Sequence, residues 1–182
     1  MAVDDEFVRS LRRGESAAYE ALVCRFEAPL FRYFLAAHGD PQLAGEQSAD
    51  CFSDLVESLP KMTGGPEQLT PFVFAVARNI LRRQWRRRAR ECAPLVSASD
   101  AVDGWPAPDA AVEAADERAR LIEAIRSLDQ PTRDVFLLRY VEQLSIAEVA
   151  ESVGEPVGTV KSRLHRGRRR LQEILQSTNG LS

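Results

Sequence analysis

The sequence is short of the residues on which most catalytic and metal chemistry depends. Its 182 residues include 2 histidines, His38 and His165, and 3 cysteines, Cys24, Cys51 and Cys92. No CxxC or HExxH spacing occurs, no nucleophile is paired with a base, and no glycine-rich phosphate loop follows a strand. An enzyme, a metal site and a cofactor are therefore all unexpected. Scattered cysteines in odd number exclude a disulfide framework and point to a reducing compartment, the cytoplasm. In helices they are expected to be small buried residues rather than redox sensors. Long apolar runs are lacking too. A membrane span needs ~20 consecutive apolar residues. Nothing here approaches that, and the acidic start MAVDDEF does not read as a signal peptide, so no membrane contact of its own is expected. Period-two alternation is missing throughout, which argues against a β fold, and no internal repeat is visible.

What is present in excess is arginine: Lys61 and Lys161 are the two lysines among 24 basic residues. The formal net charge of −3 hides strong segregation. Arg78, Arg82, Arg83, Arg86, Arg87, Arg88 and Arg90 occur without an intervening acid. From Glu91 to Glu117 there are only acids, and a second basic cluster follows at Lys161, Arg163, Arg166, Arg168, Arg169 and Arg170. Two basic patches with an acidic spacer between them suggest two separate polyanion contacts.

Apolar spacing over Asp4 to Ser58 is helical: Phe7, Val8 and Leu11, then Tyr19, Leu22, Val23 and Phe26, then Leu30, Tyr33 and Phe34. Pro29 is expected to kink or restart the helix. Gly39-Asp40-Pro41 reads as a turn, and Phe52, Leu55, Val56 and Leu59 form a further stripe. Lys61 to Thr70 reads as a loop, and Thr70-Pro71 as cap and first residue of a helix running toward Arg90. Pro94 to Pro108 has linker composition. Beyond it, Leu121, Ile122, Ile125 and Leu128 share a helical face, and Pro131 opens another helix. The expected fold is all-α: two small helical domains joined by a flexible acidic linker.

The strongest local signal is LSIAEVAESVGEPVGTVKSRLHRGRRRL, from Leu144 to Leu171. Ser145 and Glu148 make a capping box, Gly154 ends the short helix, and a second helix begins near Val157: a helix-turn-helix. At ~100° per residue, Val157, Val160, Leu164 and Leu171 fall on one face. Opposite them lie Ser162, Arg166 and Arg169, flanked by Thr159, Arg163 and His165. Hydroxyls and guanidinium groups on that outer face suit phosphates and base edges in a major groove. On the earlier basic helix, Phe72, Val73, Val76, Ala77 and Ile80 form an apolar arc. Arg78, Arg82, Trp85 and Arg86 project from the other side, with Asn79 at its margin. Arginines with an interleaved aromatic suit single-stranded or melted nucleic acid, where charge follows the backbone and rings stack on bases.

On these residues the chain resembles the sigma-70 family, specifically the extracytoplasmic-function (ECF) sigma factors. PFVFAVARNILRRQWRRR (Pro71 to Arg88) looks like the helix of the family's second region. LDQPTRDVFLLRYVEQLSIAEVAESVGEPVGTVKSRLHRGRRRL (Leu128 to Leu171) looks like its fourth region. Departures are Phe72 where the family often has Trp, Arg83 where it has Asp, and AGEQSADCF (Ala44 to Phe52) in place of a more regular acidic segment.

The resemblance implies region 2 over residues 1–91, a linker over 92–115 and region 4 over 116–178. It implies clamp docking through Asp50, Phe52, Asp54 and Leu55. It implies −10 recognition and melting through Arg78, Asn79, Arg82, Trp85 and Arg86, with a flipped base received between the loop Lys61 to Thr70 and the next helix. The −35 element would be read through Thr159, Lys161, Ser162, Arg163, Arg166 and Arg169. The implied partners are core RNA polymerase (clamp helices of the largest subunit, flap of the second), promoter DNA and an anti-sigma factor. A polymerase-independent helix-turn-helix regulator is the competing reading. The few apolar residues of the linker lead to the expectation that the domains vary in arrangement until an anti-sigma partner locks them together.

Overall fold

The computed structural model describes residues 3–91 and 121–179. The acidic linker, Cys92 and the expected boundaries at 92, 115 and 116 lie outside the described residues. Among those described, every regular element is helical. The first domain comprises α1 (Asp5–Arg12), α2 (Ser16–His38), α3 (Pro41–Ser58) and α4 (Leu69–Glu91). The second comprises α5 (121–126), α6 (Gln130–Phe136), α7 (Ile146–Val153) and α8 (Val157–Asn179).

Local chemistry sets most of these boundaries. Asp4 caps α1 by accepting from the Phe7 amide at 2.8 Å. At the α2–α3 corner Gly39 takes the left-handed conformation (φ 79°), Asp40 accepts from the Gln42 and Leu43 amides, and Pro41 occupies the first turn of α3. The second domain repeats the logic, with Asp129 as cap of α6, the Ser145–Glu148 capping box on α7 and Gly154 (φ 66°) at its end. Beyond α6 the chain widens over Leu137–Val141, and the Glu142 amide bonds to the Leu137 carbonyl five residues back.

In the first domain α2 packs along α3, and α4 closes over α3. Tyr33 lies at the centre, with ring centroids 5.6 Å from both Phe34 and Phe74 in edge-on geometry. Each such aromatic pair contributes about 0.5–1.5 kcal/mol beyond the area it buries. The second domain buries Ile125, Val135, Phe136, Leu138, Val149, Val160 and Leu164.

Several expectations need correction. Helix α2 runs through Pro29 without a break, because Phe26, Leu30, Tyr33 and Phe34 on either side are all buried. That packing outweighs the ~3 kcal/mol an internal proline costs. Helix α4 begins at Leu69 rather than at Pro71, and the expected loop from Lys61 to Thr70 follows a short helical turn at Leu59–Lys61 and contains another at Pro66–Gln68. Phe74 and Leu81 on α4 are core residues, whereas Phe72 and Val76 are half-buried. Val23, Val56 and Val157 are exposed, each at the edge of its stripe, and Cys24 is exposed too. Cys51 is buried as expected, which pushes its thiol pKa up to about 12.

The largest correction is the relation between the domains. The spacer's composition leads to the expectation of loosely tethered units. Instead α7 packs along α4, and the turn at Leu137–Val141 packs on α2. Side chains of the helices make this contact, apolar ones in a shared core and the pairs Arg32–Glu142 and Arg78–Asp134 beside it, and the spacer's composition carries no record of them.

Helix α8 can approach α6 because residue 167 is glycine: a Cβ there would lie 2.3 Å from Phe136 Cε2 and 2.8 Å from Thr132 Cγ2. Gly167→Ala gains about 1 kcal/mol of helix propensity but overpacks the α6–α8 contact at about 1–3 kcal/mol. The expected result is a net lower urea midpoint, read by circular dichroism.

Candidate nucleic-acid interface

The helix-turn-helix presents the outer face that the spacing predicts. Val160, Leu164, Gly167 and Leu171 turn inward, while Lys161, Ser162, His165, Arg166 and Arg169 are exposed. Thr159 is half-buried. Arg163 is largely covered and ion-paired with Glu155 at 2.9 Å, so its guanidinium is steered toward the turn rather than outward. Arg163, Arg166 and Arg170 line a shallow cavity of about 490 Å³ against Asp129 and Thr132 at the start of α6. The start of α6 and the basic side of α8 thus meet in one groove.

The α4 face is arranged differently. Asn79 and Arg86 are exposed and Arg82 is half-buried. Arg78, expected to project freely, is 11% exposed and donates through Nε to Asp134 Oδ2 at 2.8 Å and through Nη1 to the Val153 carbonyl at 3.0 Å. Trp85 is half-buried, with the Arg133 guanidinium 4.9 Å from its ring centroid and the His38 ring edge-on at 6.2 Å. The "other side" of α4 is therefore not a free surface: α7 and α6 lie on it. A second cavity, of about 250 Å³, opens between Lys61, Thr63, Gln68, Pro71 and Phe72, and Glu151 of α7 closes one wall.

Of the expected docking residues, Asp50 is exposed and Phe52 half-buried, and Asp54 is ion-paired with Arg83. Leu55 is fully buried and supports the α3 face from beneath, so it does not itself form part of a docking surface.

The residues that sequence reasoning missed are those that join the domains. Arg32 meets Glu142 at 3.1 Å, and Arg126 donates to the Leu35 and Ala36 carbonyls at 3.0 Å each. One signal was legible: Asp134 shares a helical face with Leu137, Leu138 and Val141, and an acid at a core position implies a buried partner.

The family description "Sigma-70, region 4" matches residues 118–171. The ECF RNA polymerase sigma factor SigL of Mycobacterium tuberculosis (strain ATCC 35801 / TMC 107 / Erdman) is 32% identical over 173 residues, which is 89% of this chain and 91% of that protein. The chain belongs to the ECF sigma factors. It is thus a promoter-specificity subunit of bacterial RNA polymerase. The fold is shared with CnrH, solved in complex with the cytosolic domain of CnrY (TM-score 0.71, 21% identity, 97% of this chain and 99% of that one). It is shared also with the sigma factor RpoE solved with the anti-sigma factor NepR from Bartonella quintana (TM-score 0.71, 22% identity, 87% and 96%).

Electrostatics at the domain contact carry a pH dependence. The Glu142 side chain is 3% exposed, and burial raises its pKa from 4.5 to about 7 against the opposing pull of Arg32. Burial raises Asp134 in the same direction, with Arg78 opposing. A carboxyl with a raised pKa holds its proton more tightly in the folded than in the unfolded chain, so its contribution to stability grows as pH falls through 7 and levels off near 4.5. Thermal stability is expected to rise from about pH 8 to about pH 6, and Glu142→Gln to flatten that rise. Melting curves of the two proteins across the window test this.

Proposed function

We propose that the chain directs core RNA polymerase to promoters through two DNA contacts carried on separate helices, with residues 1–91 acting as region 2, 92–115 as linker and 116–178 as region 4. The observation that carries this reading is the row Ser162, Arg166 and Arg169. It stands exposed on the second helix of a helix-turn-helix whose first helix is capped at both ends and whose inner row is buried.

In this reading α8 enters the major groove at the −35 element. Ser162 and Arg166 address base edges, Thr159, Lys161 and Arg163 assist them, and Arg169 meets phosphate. The α4 face would engage the −10 element through Asn79, Arg82 and Arg86 together with Arg78 and Trp85, the latter two being held by the second domain in the arrangement described above. The cavity beside Phe72 would receive an unstacked base. Unstacking costs a few kcal/mol, which stacking on aromatic rings, at about 1–3 kcal/mol per base, and arginine–phosphate contacts offset. Asp50, Phe52 and Asp54 would dock on the clamp helices of the largest subunit, and the second domain on the flap of the second subunit. The chain would act in the cytoplasm by binding alone, without cofactor or catalysis of its own. The sigma factor RpoE, of the same fold, was solved with the anti-sigma factor NepR, and control of this chain by such a factor fits the reading.

Run-off transcription with core polymerase on a promoter library tests the role. Promoter-dependent transcripts, and competition with other sigma factors for core, are the expected results. Tight binding to a promoter duplex without polymerase, and no competition, would favour the free-standing regulator. Within an active holoenzyme, Arg166→Ala is expected to lose about 1–3 kcal/mol of discrimination at one −35 base pair. Arg169→Ala should weaken all sequences alike, as phosphate contacts do. An unaltered preference at every −35 position in the Arg166 variant would remove that side chain from base readout.

A further inference from the structure

Helix α1 and its cap carry three arginines, and one of them is used differently from the others. Arg9 pairs with Glu6, and Arg13 with Glu6 and Glu15, all of them exposed. Arg12 meets no acid among the described residues. It is half-buried, and its Nη2 donates to the main-chain carbonyl of Gly64, 52 residues away. Its Nε is buried without a partner among the described residues, a loss that a solvent-facing rotamer would avoid.

The Gly64 carbonyl belongs to the stretch that walls the cavity beside Phe72. Residue 64 takes φ 101°, a conformation that favours glycine. The Gln68 side-chain amide fills the space that a Cβ there would occupy, so the loop bends back on itself with Gln68 laid across the bend. Thr63, just before the bend, and Gln68 both line the cavity. Short turns at Leu59–Lys61 and Pro66–Gln68 flank the bend, and α1 packs on both. Three-residue turns supply few main-chain bonds of their own, so a donor from outside has leverage over the chain between them.

We infer that Arg12 is a positioning residue for the cavity beside Phe72. From a helix outside the proposed DNA contacts, it clamps the bend at Gly64 and so fixes where Thr63 and Gln68 stand when an unstacked base enters. The inference rests on the reading of that cavity as the base pocket. A base that leaves the stack gains from the pocket only while the wall is in place. Loss of the clamp therefore slows opening and leaves the closed complex, in which the base is still stacked, unchanged. A wall correctly placed about a tenth of the time without Arg12 weakens capture of the base about tenfold.

The test uses holoenzyme assembled from core polymerase and the full chain, on a promoter drawn from the library above. Closed complexes are measured by filter binding in the cold, and opening by permanganate reactivity of −10 thymines over time. Arg12→Met keeps the apolar stem and removes the donors, and Arg12→Lys restores a donor. Arg9→Met controls for charge on the same helix, and Gln68→Ala reports on the pocket itself. The expected result for Arg12→Met is unchanged closed-complex affinity and about tenfold slower opening. Arg12→Lys should recover part of the rate, and Arg9→Met should open as the wild type does. Each non-template −10 base is also replaced in turn by an abasic site. At the position whose base enters the pocket, Arg12→Met should add little further slowing, a result that a general loss of stability would not produce. Arg12→Lys carries the same comparison if the methionine variant fails to fold. Normal opening by Arg12→Met while Gln68→Ala is slow would overturn the clamp and leave the pocket standing. Equal slowing by Arg12→Met at every abasic position would also overturn the clamp. Normal opening by both variants would overturn the pocket, and the clamp with it.

Discussion

A guanidinium removed from water needs acceptors along its edges, and the relation between the two domains is organised by that demand. Arg32 and Arg78 reach from the first domain, and Arg126 and Arg133 reach back from the second. Two of the four find their acceptors at helix ends: Arg78 at the end of α7 and Arg126 at the end of α2. There, the last carbonyls of the helix and its dipole both favour a cation. Each domain thus completes the capping of a helix in the other.

The same arginine has two potential uses, and this explains why charge alone is a poor guide to exposure. Surface ion pairs contribute about 0–1 kcal/mol, so an arginine on a solvated face is cheap to redirect. Arg83 and Asp54 show the ordinary case, an exposed pair between α4 and α3. Arg78 and Asp134 show the other, a covered pair between the two domains.

Much of this was legible in the sequence wherever the determining forces are local. Ser145 and Glu148, Gly154, and the Gly39-Asp40-Pro41 corner announce their conformations through capping chemistry, and the structure has them where the spacing puts them. The outer row of α8 was readable for the same reason, since one face of one helix settles it. Failures occur where a distant element decides. Pro29 reads as a break until its neighbours are known to be buried. Arg78 reads as a surface residue until α7 lies on α4, and Leu55, on an apolar stripe yet named for docking by the resemblance, is buried where α4 closes over α3. Asp134 could have been flagged from its place on an apolar face, but nothing in the sequence names Arg78 as its partner.

Across the domain contact Arg126 bonds to main-chain atoms alone, whereas Arg78 also needs a carboxylate. The acceptors of Arg126 are the main-chain oxygens of Leu35 and Ala36, which every residue type carries. Side chains along α2 could drift over generations without disturbing this anchor, whereas the bond from Arg78 to Asp134 is lost with one codon. The vulnerable point lies next door. Position 39 must be both left-handed and bare, because a Cβ there would sit 2.7 Å from the Arg126 guanidinium. The absence of a side chain at one corner of the first domain therefore sets how far the lineage can wander while keeping its two halves in register.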